Sequence, residues 1–421
     1  MNSSQVVTLL VGLAVIVALA KVMGWIAVRL AQPAVIGEIV AGVLMGPTLF
    51  HGAIANTLFP VDIRPMLSSL ANLGLVFFMF LIGLEFNRNL LRGRIGTLVT
   101  VSLGSMVLPF ALGTLLATAL MHHYGGGSDL SFVLYLGTAT AVTAFPVLAR
   151  IINERRMGGT QIGGIALGSA ALGDLLAWSM LAVAIMTMNA DAPGKWHVLL
   201  ILPLVAVSFL VVRPLLARLA RWQSEHGSAR DTFAVVLIGL LAWSAMTEWM
   251  GLHFIFGAFL FGLISPHEGT SEVRGGVTQR IEQVSKVLLL PIYFVVAGLS
   301  VDLSRTTLAG LGEFGLIMLV AVGGKFVGTL AGARASRLDW RRSAALATLM
   351  NTRGLTELVI LSTGLQLGLL DRDLYSQLVL MAVVTTIMTG PLLKLVYPRH
   401  FLDQDIEMAR SREAEVPAHS T

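Results

Sequence analysis

From Thr160 to Met188 the chain carries one charge, Asp174, in 29 residues. At 1.5 Å per residue a helix of that length exceeds the ~30 Å hydrocarbon core of a bilayer, so the run reads as a membrane-spanning helix. Asp174 lies fourteen residues from either end of the run, too deep for its short side chain to reach outside water. A carboxylate at that depth costs about 3 kcal/mol on insertion scales and is rarely placed there without a task. Two readings follow: an ion or proton site, or a structural aspartate satisfied by neighbouring helices.

The rest of the chain has the same character. Hydrophobic residues make up 55% and charged residues 13%, about half the charge of a soluble globular domain. Apolar runs and breaker residues predict about thirteen spans: 5–29, 33–50, 66–86, 95–121, 130–152, 160–189, 197–220, 231–249, 252–265, 275–300, 307–334, 341–369 and 374–397. The first is expected to stay as a helix, since no basic leader with a small-residue cleavage site precedes it. The expected fold is therefore an all-α integral membrane protein, with a transmembrane domain over 1–400 and a short, disordered cytoplasmic tail over 401–421. With no cysteine, disulfides, thiolate metal sites and thiol catalysis are excluded.

The net charge of +5 suggests a polyanion partner, but its distribution points away from nucleic acid. Loops after odd-numbered spans carry 18 Lys and Arg, and loops after even-numbered spans carry four, Arg64, Lys195, Arg305 and Arg372. Basic residues in short loops set orientation, so the N-terminus is expected outside and the C-terminus in the cytoplasm.

Two pairs of segments repeat in order. Val35–Pro47 resembles Phe254–Pro266, with glycines five apart and a closing proline, and Phe80–Glu85 resembles Val295–Ser300. The shift is seven spans. An odd shift reverses direction across the membrane, which predicts an inverted repeat, a common plan of secondary transporters with the site near the midplane. Span five contains Gly137-Thr-Ala-Thr-Ala-Val-Thr-Ala-Phe-Pro146, and span twelve, seven spans on, contains Asn351-Thr-Arg-Gly-Leu-Thr-Glu357. Proline, threonines, glycine and charge in mid-membrane predict two broken helices at corresponding positions; Pro-kinked packing helices are the alternative. Broken ends offer carbonyls to a cation and amides to an anion.

Other buried charges group with these. Lys325 is alone in Leu316–Leu330 and needs a carboxylate, for which Asp174 is the candidate; a structural and a proton-coupled pair both remain open. Arg353 and Glu357 are i,i+4 on span twelve and read as a scaffold pair, with Glu38 of span two a second candidate partner. Thr143 and Thr140 offer oxygens to a hard cation beside Asp174. Glycine-rich segments lack the context of a nucleotide-binding loop, so no cofactor is expected beyond the transported ions.

Several of these segments, GEIVAGVLMGP (37–47), FLIGLEF (80–86), VTAFPVLARI (142–151), GDLLAW (173–178), PIYFVVAGLSVDL (291–303), GGKFVGT (323–329) and NTRGLTELVI (351–360), resemble in order the monovalent cation/proton antiporter-2 family. VTAFPVLARI and NTRGLTEL are most similar to its cation/proton exchanger branch. The resemblance implies the thirteen-helix, elevator-type sodium/proton antiporter fold, a homodimer in membrane lipid, and crossed broken helices beside the key aspartate. It also implies that Asp174, Thr143, Lys325 and Arg353 belong to the ion-binding core. One departure stands out: the family usually has Asn, Gln or Asp before the aspartate, and here the residue is Gly173. The expected function is exchange of Na⁺ or K⁺ for protons, with Asp174 holding a proton or a cation but not both, and no enzymatic activity. A proton-coupled transporter of a small organic molecule, with Gly173 leaving room for it, and a membrane sensor are the rivals.

Overall fold

The computed structural model describes residues 3–30, 32–49, 52–85, 95–124, 129–158, 160–188, 200–218, 229–250, 253–265, 279–304, 308–405 and 407. All regular structure among them is helical. In chain order the α-helices are α1 (Ser3–Arg29), α2 (Ala34–Met45), α3 (Ala53–Leu58), α4 (Arg64–Glu85), α5 (Ile95–Tyr124), α6 (Asp129–Ala141), α7 (Phe145–Glu154), α8 (Gln161–Met188) and α9 (Ile201–Val207). There follow α10 (Ala229–Trp249), α11 (Phe254–Ile264), α12 (Leu290–Leu299), α13 (Leu308–Met318), α14 (Gly324–Ala335), α15 (Trp340–Met350), α16 (Leu355–Gln366) and α17 (Arg372–Val396). Single π-helical turns adjoin three of them, including Leu319–Gly323, which joins α13 to α14.

Nine helical stretches among the described residues are long and apolar enough to cross a bilayer. Against the thirteen expected spans, the second, eighth and ninth are shorter apolar helices, Ala34–Met45, Phe233–Trp249 and Phe254–Ile264. The twelfth divides into α15 and α16, of 11 and 12 residues. Twelve helical residues rise only ~18 Å, so the helices of 11 or 12 residues are half-spans or spans completed by non-helical chain, whereas α10, with 21 residues, is long enough to cross. The helices leave large apolar side chains on the outside: Leu10 and Trp25 on α1, Leu202 on α9, Leu210 just beyond it and Leu319 before α14 are all more than half exposed. Such surfaces belong in lipid, and the chain is a multi-pass membrane protein.

The chain divides into two compact units. The first comprises Met1–Met23, Glu38–Asn87 and Ala182–Ser300. Its packing rests on two glycine contacts between backbones. A Cβ on Gly42 of α2 would strike Gly298 of α12, and a Cβ on Gly262 of α11 would strike Gly83 of α4. Small residues let helices approach closely in lipid, where dispersion and not water drives their association. Phe80 and Phe261 stack across the α4–α11 contact with centroids 6.0 Å apart.

The second unit comprises Gly24–Gly37, Arg88–Leu181 and Val301–Thr421, and holds every candidate site residue except Glu38. Here α5 and α14 cross at Gly104 and Gly328, each closed to any side chain by the other's backbone. The end of the chain differs from expectation. Residues 399–405 are helical, and Asp405 accepts from Arg342 at 2.7 Å and from the Tyr397 hydroxyl. A buried carboxylate with two partners ties this segment down, so the first five residues of the expected tail are ordered. The remainder, 406 and 408–421, lies outside the described residues, as do the loop arginines Arg88, Arg92, Arg94 and Arg274.

Candidate ion site

Two helices of the second unit are interrupted, for local reasons. Between α6 and α7 the chain is extended over 142–144, and Pro146 stands in the first turn of α7. Proline lacks the amide that would continue α6 and fits the first turn of a new helix, where that amide would have no intrahelical partner, so one helix ends and another begins. Between α15 and α16 the break covers 351–354. Gly354 there takes φ 157°, and a Cβ on it would lie 2.7 Å from the Val147 side chain of α7. The two breaks meet: the Ala144 amide donates to the Thr352 carbonyl at 3.0 Å.

Each free helix end faces a charge of the sign its dipole favours. Arg353, fully buried, reaches from the second break to the end of α6. Its guanidinium donates to the carbonyls of Ala139 at 2.9 Å and Thr140 at 2.5 Å, and to the Glu357 carboxylate at 2.7 Å. Glu357 occupies the first turn of α16, where an anion suits the helix N-terminus. The Arg353 backbone is clasped by Thr386 of α17, which accepts from its amide at 3.1 Å and donates to its carbonyl at 2.6 Å.

Asp174 of α8 is 3% exposed. The Phe145 amide at the start of α7, the Lys325 ammonium and the Thr356 hydroxyl of α16 are the groups that act on it. The amide and the hydroxyl are its hydrogen-bonding neighbours and Lys325 acts on it through charge, but none reaches full hydrogen-bond geometry with either carboxylate oxygen. Lys325, fully buried on α14, donates instead to the Thr143 hydroxyl in the first break. Thr143 passes that bond on, donating to the Met350 carbonyl at the end of α15 at 2.8 Å. Lys325 thus influences Asp174 through space, while its hydrogen bond goes to the scaffold.

The other candidates fall as follows. Thr140 points its hydroxyl away from the breaks, to the Pro109 carbonyl at 3.1 Å and the Gly137 carbonyl at 2.9 Å, so it enters the assembly through its own carbonyl. Gly173 faces α5, where a Cβ would stand 3.7 Å from the Met106 sulfur and 3.9 Å from the Ser102 hydroxyl, ordinary contact distances with room for a side chain. The glycine is therefore not a steric requirement. Glu38 belongs to the first unit. Sequence reasoning took Asn351, Thr352 and Thr356 only as helix breakers. All three are buried, and the side-chain polar atoms of each are without a partner among the described residues. Their signal was three uncharged polar side chains within six residues of a mid-membrane run.

Chemically, this is an oxygen-rich, buried site with two anions, Asp174 and Glu357, and two cations, Lys325 and Arg353, whose charges cancel when all are ionised. Buried polar atoms without protein partners are few in native proteins and each asks for an explanation. Carboxylate, hydroxyl and amide oxygens suit hard cations, and no group of three or more potential metal-ligating side chains occurs among the described residues. A multi-pass helical protein with an isolated carboxylate between two broken helices belongs to the class of secondary transporters.

Comparison with known proteins gives the family. The model of the transmembrane sodium/hydrogen exchanger matches residues 14–397, and the chain belongs to that family. Na(+)/H(+) antiporter NhaS4 of Synechocystis sp. is 34% identical over 408 residues, 94% of this chain and 99% of the relative. Cation/H(+) antiporter 17 of Arabidopsis thaliana is 36% identical over 399 residues, 92% of this chain and 48% of that protein. This chain spans about half the length of the Arabidopsis relatives it matches. The structure of the sodium proton antiporter MjNhaP1 from Methanocaldococcus jannaschii at pH 8 covers 94% of this chain and 98% of its own, with TM-score 0.64 and 15% identity, which supports the fold alone. The chain is accordingly a cation/proton antiporter of the superfamily, a secondary active transporter and not an enzyme.

Proposed function

We propose that Asp174 is the shared site at which a proton and a monovalent cation, Na⁺ or K⁺, compete. The observation that carries this is the buried carboxylate with both oxygens unpartnered, facing a helix N-terminus, a lysine and an unpartnered threonine. A carboxylate meant only to lock helices together would be satisfied by them. Oxygens for the cation come from Asp174 and Thr356, with Asn351 and Thr352 adding to the oxygen-rich break, while Thr143 holds Lys325. Competition for one carboxylate couples the two fluxes without a separate gate. Relatives named for Na⁺/H⁺, K⁺/H⁺ and general cation/H⁺ exchange agree with this substrate class.

The finer architecture is part of the same reading. The reciprocal contacts α2–α12 and α11–α4 fit an inverted repeat in which α2 corresponds to α11 and α4 to α12. The quoted motifs favour the monovalent cation/proton antiporter-2 family within the superfamily. The two broken helices cross beside Asp174 within a thirteen-helix, elevator-type fold. Because the site lies within one compact unit, that unit can carry it from side to side as a body. The chain works as a homodimer whose apolar faces include α1 and α9. The N-terminus lies outside and the C-terminus in the cytoplasm, in keeping with the 18 to 4 distribution of loop Lys and Arg. Single cysteines are clean probes in a chain with none. Cysteine at Ser304 is expected to react with an impermeant maleimide only from outside, and cysteine at Asn153 only from the cytoplasm; the opposite pattern inverts the orientation.

Exchange itself is tested in proteoliposomes, by adding Na⁺, K⁺ and Li⁺ separately against a pH gradient. One or more of them should dissipate it. Both loaded states of the site, protonated Asp174 or cation-bound Asp174, carry the same charge if Lys325 keeps its proton, so one proton leaves per cation. The rate is then expected not to change when a potential is imposed with valinomycin and potassium. A several-fold voltage dependence with a displaced steady state would show that Lys325 releases a second proton. Dissipation by none of the three salts would refute the cation reading.

A further inference from the structure

A cavity of about 820 Å³ lies in the same unit as the ion site, at the ends of α7 and α17 and against the segment that follows α17. Its walls carry four cations, Arg155, Arg156, Lys394 and Arg399, and two carboxylates, Glu154 and Asp403. Glu154 is already engaged by Arg150 at 2.8 Å. None of the four cations has an ion-pair or hydrogen-bonded side-chain partner among the described residues. Two helix C-termini meet here, and a cation at each would offset its dipole. Four exceed that need.

Arg156 adds an independent observation. It stands just past the end of α7 at φ 58°, the left-handed position that closes a helix and that glycine occupies at least cost. The cap bonds are present, from the Arg156 amide to Asn153 and from the Met157 amide to Ile152. Arg337 takes the same left-handed position past α14 at φ 60°, so the cap alone gives an arginine no task; what sets Arg156 apart is that its side chain lines the cavity beside three other cations. The apolar stretches that feed the cavity end at its lip, Leu130–Glu154 on one side and Arg372–Val396 on the other. The cavity thus sits at the level where the hydrocarbon of a bilayer gives way to headgroups. Its volume is many times the ~30 Å³ of one water molecule.

We infer that this cavity is a binding site for a phosphate-bearing anion, met at that depth as the headgroup of an anionic phospholipid. Basic pockets between helices at the cytoplasmic face of a membrane suit such headgroups, and guanidinium groups suit phosphate oxygens. The position gives it leverage over transport. α7 is ten residues long, ~15 Å, with the cavity at its C-terminal end and the Phe145 amide facing Asp174 at the other. α17, the other wall, carries the Thr386 that clasps Arg353. An anion bridging the two helix ends braces both elements that hold the ion site.

The test is thermal unfolding of the full chain in a zwitterionic detergent, titrated with phosphatidylglycerol, phosphatidylcholine or inorganic phosphate. It is independent of whether the protein exchanges ions. Phosphatidylglycerol is expected to raise the midpoint by several degrees and saturably, and phosphatidylcholine to leave it unchanged. In Arg156→Gly/Arg399→Gln the phosphatidylglycerol shift should fall by at least half; glycine relaxes the cap, so this variant should fold as well as the parent. Arg213→Gln/Arg218→Gln, which removes two cations from the helical stretch 213–218, outside the cavity lining, should keep the full shift. A saturable shift with inorganic phosphate that is lost in the same variant would support the anion site with a soluble occupant. An unchanged phosphatidylglycerol shift in Arg156→Gly/Arg399→Gln, or no shift with either anionic probe, would overturn the inference.

Discussion

Asp174→Asn is expected to give a folded protein whose cation-driven proton flux falls to that of empty liposomes. The amide has nearly the volume of the carboxylate, and the position is packed on all sides. The Phe145 amide and the Thr356 hydroxyl beside the carboxylate can serve the oxygen of an amide equally well. Removing a buried charge removes its desolvation cost but also its through-space attraction to Lys325, and the two effects offset, so the thermal midpoint should stay close to that of the parent. Activity is then lost with little change in stability, as expected where a residue is kept for its task and not for the fold. Lys325 should not be released, because its hydrogen bond runs to Thr143. Wild-type exchange in a well-folded Asp174→Asn protein would remove Asp174 from the mechanism. Loss of folding would instead make it structural.

What could be read ahead of the structure depended on whether the deciding information was local. A lone carboxylate in a 29-residue apolar run announces itself, because the bilayer penalises it wherever neighbours lie. Both helix breaks were legible for the same reason: Pro146 and Gly354 act on their own backbone. The pairing of Arg353 with Glu357 was legible from their nearness in sequence, although Arg353 stands in the break and reaches forward to the first turn of α16, where helix spacing was the expectation. The partner of Lys325 was not legible. A long flexible side chain from α14 reaches either Asp174 or Thr143 depending on how helices pack; charge alone pointed to Asp174, which Lys325 acts on through space, and gave no sign of Thr143, which takes its hydrogen bond. Thr386 gave no warning either. Threonine in an apolar helix ordinarily bonds back to its own turn, and Thr386 does so, to Ala382 at 2.8 Å, while also holding Arg353. The segment 399–405 looked solvated because its charges were counted without Arg342, which is remote in sequence.

Arg353→Met is expected to be among the most destabilising substitutions in the chain. Removing one partner of a buried ion pair leaves the other uncompensated, at about 3–5 kcal/mol. Here Glu357 would be left buried, and so would the Ala139 and Thr140 carbonyls at the end of α6. Glu357→Leu should cost less, because Arg353 keeps two carbonyl acceptors. The double variant Arg353→Met/Glu357→Leu separates the two roles of the arginine. If the ion pair were all that mattered, two apolar residues would restore stability to near the wild-type level. If Arg353 also closes α6, the double variant retains the loss of two buried carbonyls, each about 1–3 kcal/mol. We expect its thermal midpoint to lie above that of Arg353→Met and clearly below that of the wild type. A double variant as stable as the wild type would reduce Arg353 to a counter-ion. The break between α6 and α7 would then have to be held by Pro146 and the Ala144–Thr352 bond alone.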